Sequence, residues 1–126
     1  MLLNQGIDES LFTELTADQA EMLEGGKRIT ILSVRCIQAH QGSDNLSFDI
    51  NFERLGSPIF MQANSVANVG IGANFNGTAN VRLNDNRSRV RIPLGGFSDS
   101  TVSSGSKTVR VNSGSSTYDV TYRIAN

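Results

Sequence analysis

Leu46-Ser47-Phe48-Asp49-Ile50-Asn51-Phe52-Glu53 decides the fold class. Apolar and polar residues alternate without interruption, so Leu46, Phe48, Ile50 and Phe52 fall on one face of an extended strand. The same period of two returns at Val90, Ile92 and Leu94, at Val109 and Val111, and at Tyr118, Val120, Tyr122 and Ile124. Upstream, Ile29 and Ile31 are out of phase with Leu32, Val34 and Cys36, which predicts a bulge in that strand. Clusters of turn-forming residues separate the runs: His40–Asn45, Leu55–Pro58, Asn84–Arg87, Gly95-Gly96, Ser103–Ser106 and Asn112–Ser116. About seven short strands, each with one buried face, describe an all-β antiparallel sandwich or open barrel. The pattern leaves both architectures open.

An internal repeat supports the β reading near the C-terminus. Residues 102–111 match residues 111–120 at an offset of nine, each copy a Ser/Gly turn followed by an alternating strand. Reused turn chemistry of this kind predicts a meander of the last three strands.

The N-terminus follows different rules. From Ser10 to Glu24 the chain has neither Gly nor Pro and many helix-forming residues. Thr16-Ala17-Asp18-Gln19 fits a capping box, and Gly25 suits the left-handed end of a helix. A short N-terminal helix is therefore expected before the β-domain. Charge divides at the same boundary. Residues 1–26 hold six acids and no base, a balance of −6. Residues 27–126 hold all eleven bases against six acids, a balance of +5. Two segments so unlike in charge suggest separate roles.

At 126 residues the chain has room for one core. No stretch is long and apolar enough to span a bilayer, and no basic region followed by an apolar segment opens the chain. A lone cysteine excludes an internal disulfide and a multi-cysteine metal cage.

Segment 11–26, Leu-Phe-Thr-Glu-Leu-Thr-Ala-Asp-Gln-Ala-Glu-Met-Leu-Glu-Gly-Gly, resembles the double-glycine leaders of bacteriocins and other substrates of peptidase-containing ABC exporters, those of cyanobacteria above all. The resemblance implies a leader helix whose spaced apolar anchors, here Phe12, Leu15, Ala20 and Leu23, are held by the exporter's cysteine-protease domain. It implies cleavage after Gly25-Gly26. Ala20 is small where that family usually carries a larger apolar residue. Two glycines in succession suit a narrow protease cleft, because neither brings a Cβ. On this reading residues 1–26 are the leader, 27–126 the exported domain, and the precursor is cytoplasmic.

Other constellations are weaker. His40 and Cys36 are the only residues of their kinds. Four positions apart on a strand, they would stand roughly 13 Å from each other, too far for a thiolate–imidazolium pair. Cys36 reads as a small core residue and His40 as a loop residue. Asn84-Asp85-Asn86 lacks the spaced acids and closing Glu of a calcium loop. Gly70–Gly77 is glycine-rich but has no following Lys-Ser/Thr, so it reads as a flexible β connection rather than a phosphate loop. No catalytic, cofactor or metal site is expected.

The basic residues Arg87, Arg89 and Arg91 alternate with Ser88, Val90 and Ile92, which predicts three guanidinium groups on one face of one strand, with Arg82 joining across a hairpin. Such a strip can hold an anionic surface or polysaccharide, or it can simply guard an edge against aggregation. No aromatic residue interleaves with the arginines, which argues against a stacking platform for nucleic acid. The reading that results is a secreted, non-catalytic domain for binding, adhesion or antagonism of competitors. Its rival is an uncleaved intracellular sandwich whose helix packs on the sheet, and a small hydrolase ranks last.

Overall fold

The computed structural model describes residues 26–126. The expected leader helix and its anchors Phe12, Leu15, Ala20 and Leu23, together with Gly25, lie outside the described residues. Eight strands are formed: β1 (Lys27–Gln38), β2 (Ser43–Ile50), β3 (Glu53–Gln62), β4 (Val66–Phe75), β5 (Ala79–Arg87), β6 (Val90–Asp99), β7 (Lys107–Asn112) and β8 (Thr117–Ala125). They make two antiparallel four-stranded sheets, ordered β4-β1-β8-β7 and β3-β2-β5-β6. The architecture is therefore a sandwich and not a barrel. The hairpins β2–β3, β5–β6 and β7–β8 stay within a sheet, and the other connections cross between sheets.

Alternation explains the core. Leu46, Phe48 and Ile50 from β2 and Val81 and Leu83 from β5 face Ile29, Ile31, Val34 and Cys36 from β1 and Tyr118, Val120 and Ile124 from β8, all buried. The phase change in β1 is a bulge at Leu32: Ile31 pairs with Ile71 and Tyr122, while Ser33 pairs with Asn68 and Thr121. The extra residue returns Val34 and Cys36 to the interior.

Several local expectations are corrected. Phe52 does not continue the inward row of β2. Ile50 pairs with Glu53, so Asn51 and Phe52 form a two-residue turn with φ of +49° and +70°, and Phe52 is 82% exposed. Gly70–Phe75 belongs to β4, paired with β1, rather than to a flexible connection. Asn84–Arg87 is strand and not turn; the hairpin closes at Ser88-Arg89, since Arg87 pairs with Val90. Leu55–Pro58 is a bulged part of β3, and Gly95-Gly96 lies at a register shift inside β6. At Gly96 a Cβ would come 2.1 Å from the Val81 carbonyl oxygen, so only glycine permits this approach. The last three strands do not form a meander. β6 lies in one sheet and the β7–β8 hairpin in the other.

Polar groups in the interior are anchored at both ends of the sandwich. Tyr118 donates to Asp44 Oδ2 at 2.6 Å, with both residues buried. Burial, reinforced by the acceptor Asp44, pushes the Tyr118 phenol well above its ordinary range. Near the crossover from β6 to β7, Asp99 accepts from Lys107 Nζ at 2.8 Å, the Tyr122 hydroxyl at 2.6 Å and the Thr101 N–H at 3.0 Å. The Lys107 bond, then the Tyr122 bond, hold the Asp99 carboxyl well below the usual carboxylate range. Tyr122 also packs its ring on Phe97 at a centroid distance of 4.8 Å.

Candidate functional site

The four arginines of the expected strip do not share one strand face. Arg82 and Arg87 are on β5, Arg89 is in the turn and Arg91 is on β6, because the hairpin closes at Ser88-Arg89 where continuous strand was expected. A polar Asn84-Asp85-Asn86 run inside a strand displaced the turn by several positions. Each arginine consequently has its own environment.

Arg87 is committed to the fold. Its Nε donates to Asp85 Oδ2, Nη1 to Gln41 Oε1 at 3.2 Å and Nη2 to the His40 carbonyl at 3.2 Å. Nη2 also lies 3.8 Å from Asp44 Oδ1. Asp85 in turn accepts from the Asn45 N–H at 2.8 Å. One guanidinium therefore ties the 3-10 turn (His40–Gly42) and β2 to β5. Arg91 reaches Asp49 Oδ2, which also accepts from Asn84 Nδ2 at 3.1 Å. Asp49 Oδ1 and Ser47 Oγ are buried on this outer face without a hydrogen-bond partner.

Arg82 differs. Among the described residues it has no carboxylate within ion-pair distance, and its guanidinium sits over the Phe52 ring, 5.5 Å from the centroid. Register places it on the outer face of the second sheet, opposite Asp49 on β2 and Gly96 on β6. Arg82 and Phe52 line an open groove of about 450 Å³ with Asn80, Pro93, Gly95, Gly96 and Ser98. A hydrogen-bonded chain fixes its polar wall. Asn51 Oδ1 accepts from the Asn80 N–H at 2.9 Å and from its Nδ2 at 3.3 Å, and Ser98 Oγ donates to Asn80 Oδ1 at 2.6 Å. A second hollow of about 430 Å³ opens at the other end of the same face, between Arg54, Arg89 and Arg91. Arg89 belongs to this second hollow, so the expected basic strip is split between two sites.

Asn80 and Ser98 were not singled out from the sequence, and Phe52 was read as an inward-facing strand residue rather than a site residue. The only sequence signal was Asn51, a residue that tolerates positive φ, next to an aromatic.

The remaining titratable groups do not converge on chemistry. Cys36 is fully buried, and burial above all raises its thiol pKa, while His40 is exposed on the 3-10 turn. Among the described residues no three His, Cys, Asp or Glu side chains gather as metal ligands. Among them, too, no helix is long and apolar enough to cross a membrane.

No family model matches the chain. No curated protein matches it either. Among solved structures, one described as a C2 domain resembles it with a TM-score of 0.45 and 11% identity, over 80% of this chain and 98% of that one.

Proposed function

We propose that this chain is the precursor of an exported, non-catalytic binding domain. Residues 1–26 serve as a leader that a peptidase-containing ABC exporter removes after Gly26. The product, residues 27–126, binds an anionic partner outside the cell through the outer face of the second sheet. The supporting observation is where the sandwich begins. β1 opens at Lys27, and the hydrophobic core among the described residues runs from Ile29 to Ile124.

The test is the intact mass of the protein from the native culture medium. The reading expects a species lacking residues 1–26, and Gly25→Val should abolish it while the β-domain still folds. Only full-length protein, inside the cells, would refute it.

One observation favours the rival, an uncleaved intracellular module. Gly26 is buried, and the neighbouring Lys27 Nζ donates to the Ser100 carbonyl at 2.7 Å. The bond to be cut is thus part of the folded edge. The same mass measurement separates the two readings.

A further inference from the structure

We infer that the groove between Phe52 and Arg82 is a binding site for an acidic polysaccharide, a glycan whose sugar rings carry carboxylates. The inference rests on the proposed binding role of this sheet face and names its ligand class.

Phe52 carries the first part of the argument. A two-residue hairpin turn with positive φ at both positions is the setting in which Asn-Gly is the favoured pair. Asn51 meets that demand, but position 52 holds a Phe at φ +70°, in a backbone region that bulky residues avoid. The ring gains nothing from burial, since it is 82% exposed. A large apolar side chain held in strained backbone and offered to solvent is the signature of a functional surface. Packing would have been served better by glycine.

The groove's chemistry carries the second part. A pyranose presents an apolar C–H face and a rim of hydroxyls. Phe52 supplies a flat apolar wall for the first. Asn80 and Ser98 supply donors and acceptors for the second, already oriented by the chain of bonds from Asn51. Ser98 donates its proton to Asn80, which leaves the Ser98 oxygen free to accept. Gly95 and Gly96 contribute no side chains, so the floor is open to the β6 backbone. At about 450 Å³ the groove falls inside the range of roughly 300–1,000 Å³ usual for small-ligand sites. Arg82 adds a guanidinium that has no carboxylate within ion-pair distance among the described residues, and its planar fork suits a carboxylate. Stacking on Phe52 keeps that fork in place.

Single-stranded nucleic acid would need successive aromatic platforms. The next exposed aromatic on this face is Phe60, opposite Asn45. It stands about 20 Å away along β2, too far for neighbouring bases.

The experiment uses the purified full-length chain in affinity electrophoresis and calorimetry against polygalacturonate, alginate and hyaluronate. Neutral dextran and oligo(dT) serve as comparison probes. The expected result is binding to at least one acidic glycan and none to dextran. Phe52→Gly and Arg82→Gln should each weaken that binding about tenfold or more, a loss of the size seen for anchor residues. The Phe52→Gly protein should nonetheless melt at or above the unmodified chain, because glycine accepts φ +70° without strain. A merely structural Phe52 would not separate stability from binding in this way. Absence of binding to all three acidic glycans overturns the inference. So does equal binding of dextran, unchanged binding in both variants, or tighter oligo(dT) binding lost in the same variants. None of these outcomes bears on whether residues 1–26 are removed, which the secreted mass reads independently.

Discussion

Replacing Tyr118 with Phe removes one buried oxygen atom from one end of the sandwich and should cost about 1.5–3 kcal/mol, the usual loss for a hydrogen bond to a charged group. The magnitude follows from what Asp44 has left. Its side chain is fully buried, and Oδ2 accepts from Tyr118 at 2.6 Å. Oδ1 has no hydrogen-bond partner. The remaining counter-charge is Arg87 Nη2 at 3.8 Å from Oδ1, an attraction of about 4 kcal/mol before desolvation if the effective dielectric constant is about 20. That attraction holds the carboxylate in place in the variant, so the fold should persist with a lower midpoint. For a domain of this size the loss corresponds to a fall of about 6–24 °C in melting temperature.

The assay is urea unfolding at pH 7, followed by far-ultraviolet circular dichroism, on Tyr118→Phe, Asp44→Val and the double variant. Removing one partner leaves the other buried and unsatisfied, whereas removing both leaves only apolar surface. The double variant should therefore be more stable than the sum of the single losses allows, by about 1 kcal/mol or more. Arg87 keeps Asp85, Gln41 and the His40 carbonyl when Asp44 is gone, so it does not become an orphan in its turn. A Tyr118→Phe protein within about 0.5 kcal/mol of the unmodified chain, or strictly additive losses in the double variant, would refute the reasoning.

Further outcomes follow from other parts of the fold. Tyr122→Phe should destabilise the domain at neutral pH by about 1.5–3 kcal/mol. Because Asp99 is held below the usual carboxylate range, its contribution is full above the unfolded value near 4 and is lost as pH falls toward the lowered one, so the urea midpoint of the unmodified protein should fall as pH drops below about 4. Gly96→Ala drives a Cβ to 2.1 Å from the Val81 carbonyl oxygen, so β5 and β6 must separate; thermal melts should show a loss of at least about 3 kcal/mol or no folded protein. Cys36, buried and with a raised thiol pKa, should resist iodoacetamide in the folded protein and react at the rate of global unfolding, as mass spectrometry of timed samples would read. If an exporter peptidase removes the leader, it must act before β1 joins its sheet, since Gly26 is buried and Lys27 is paired with Phe75. An isolated peptidase domain should then cut urea-unfolded precursor at least about tenfold faster than folded precursor, in line with control by the open population.

The strands that bury one whole face were legible in advance. β2, β8 and the end of β7 put every second residue into the core, and the phase break in β1 announced a bulge, which the pairing places at Leu32 rather than after it. β4 was hidden because its inward residues, Ala67, Val69, Ile71 and Ala73, are small or only half-buried and are interrupted by glycines. Those glycines answer to sheet packing rather than to a loop: at Gly72 a Cβ would lie 2.8 Å from the Ile29 carbonyl oxygen across the pair. Asn84-Asp85-Asn86 has a turn's composition but a strand's position. Its polar groups are satisfied by the Asn45 backbone and by Asp49, partners that sequence spacing cannot reveal.

The groove was invisible for a related reason. Its walls come from separate stretches, Phe52, Asn80–Arg82, Pro93, Gly95-Gly96 and Ser98, brought together by the pairing of β2 with β5 and of β5 with β6. Phe52 was misassigned because a two-residue turn does not disturb an alternation of period two until the chain has already reversed. Leu46, Phe48, Ile50 and Phe52 are in phase as letters, yet the turn sends the last of them outward, where it meets Arg82. Arg82 in its turn was grouped with Arg87 and Arg91 by sequence proximity, although those two are neutralised by Asp85 and Asp49 and Arg82 has no such partner among the described residues. Positive charge on this face is therefore concentrated in function at the arginines left without an acid. Where Arg82 stands is a property of register, so a one-residue slip of β5 against β2 would turn it to the opposite face of the sheet, away from Phe52, and erase the site without altering composition.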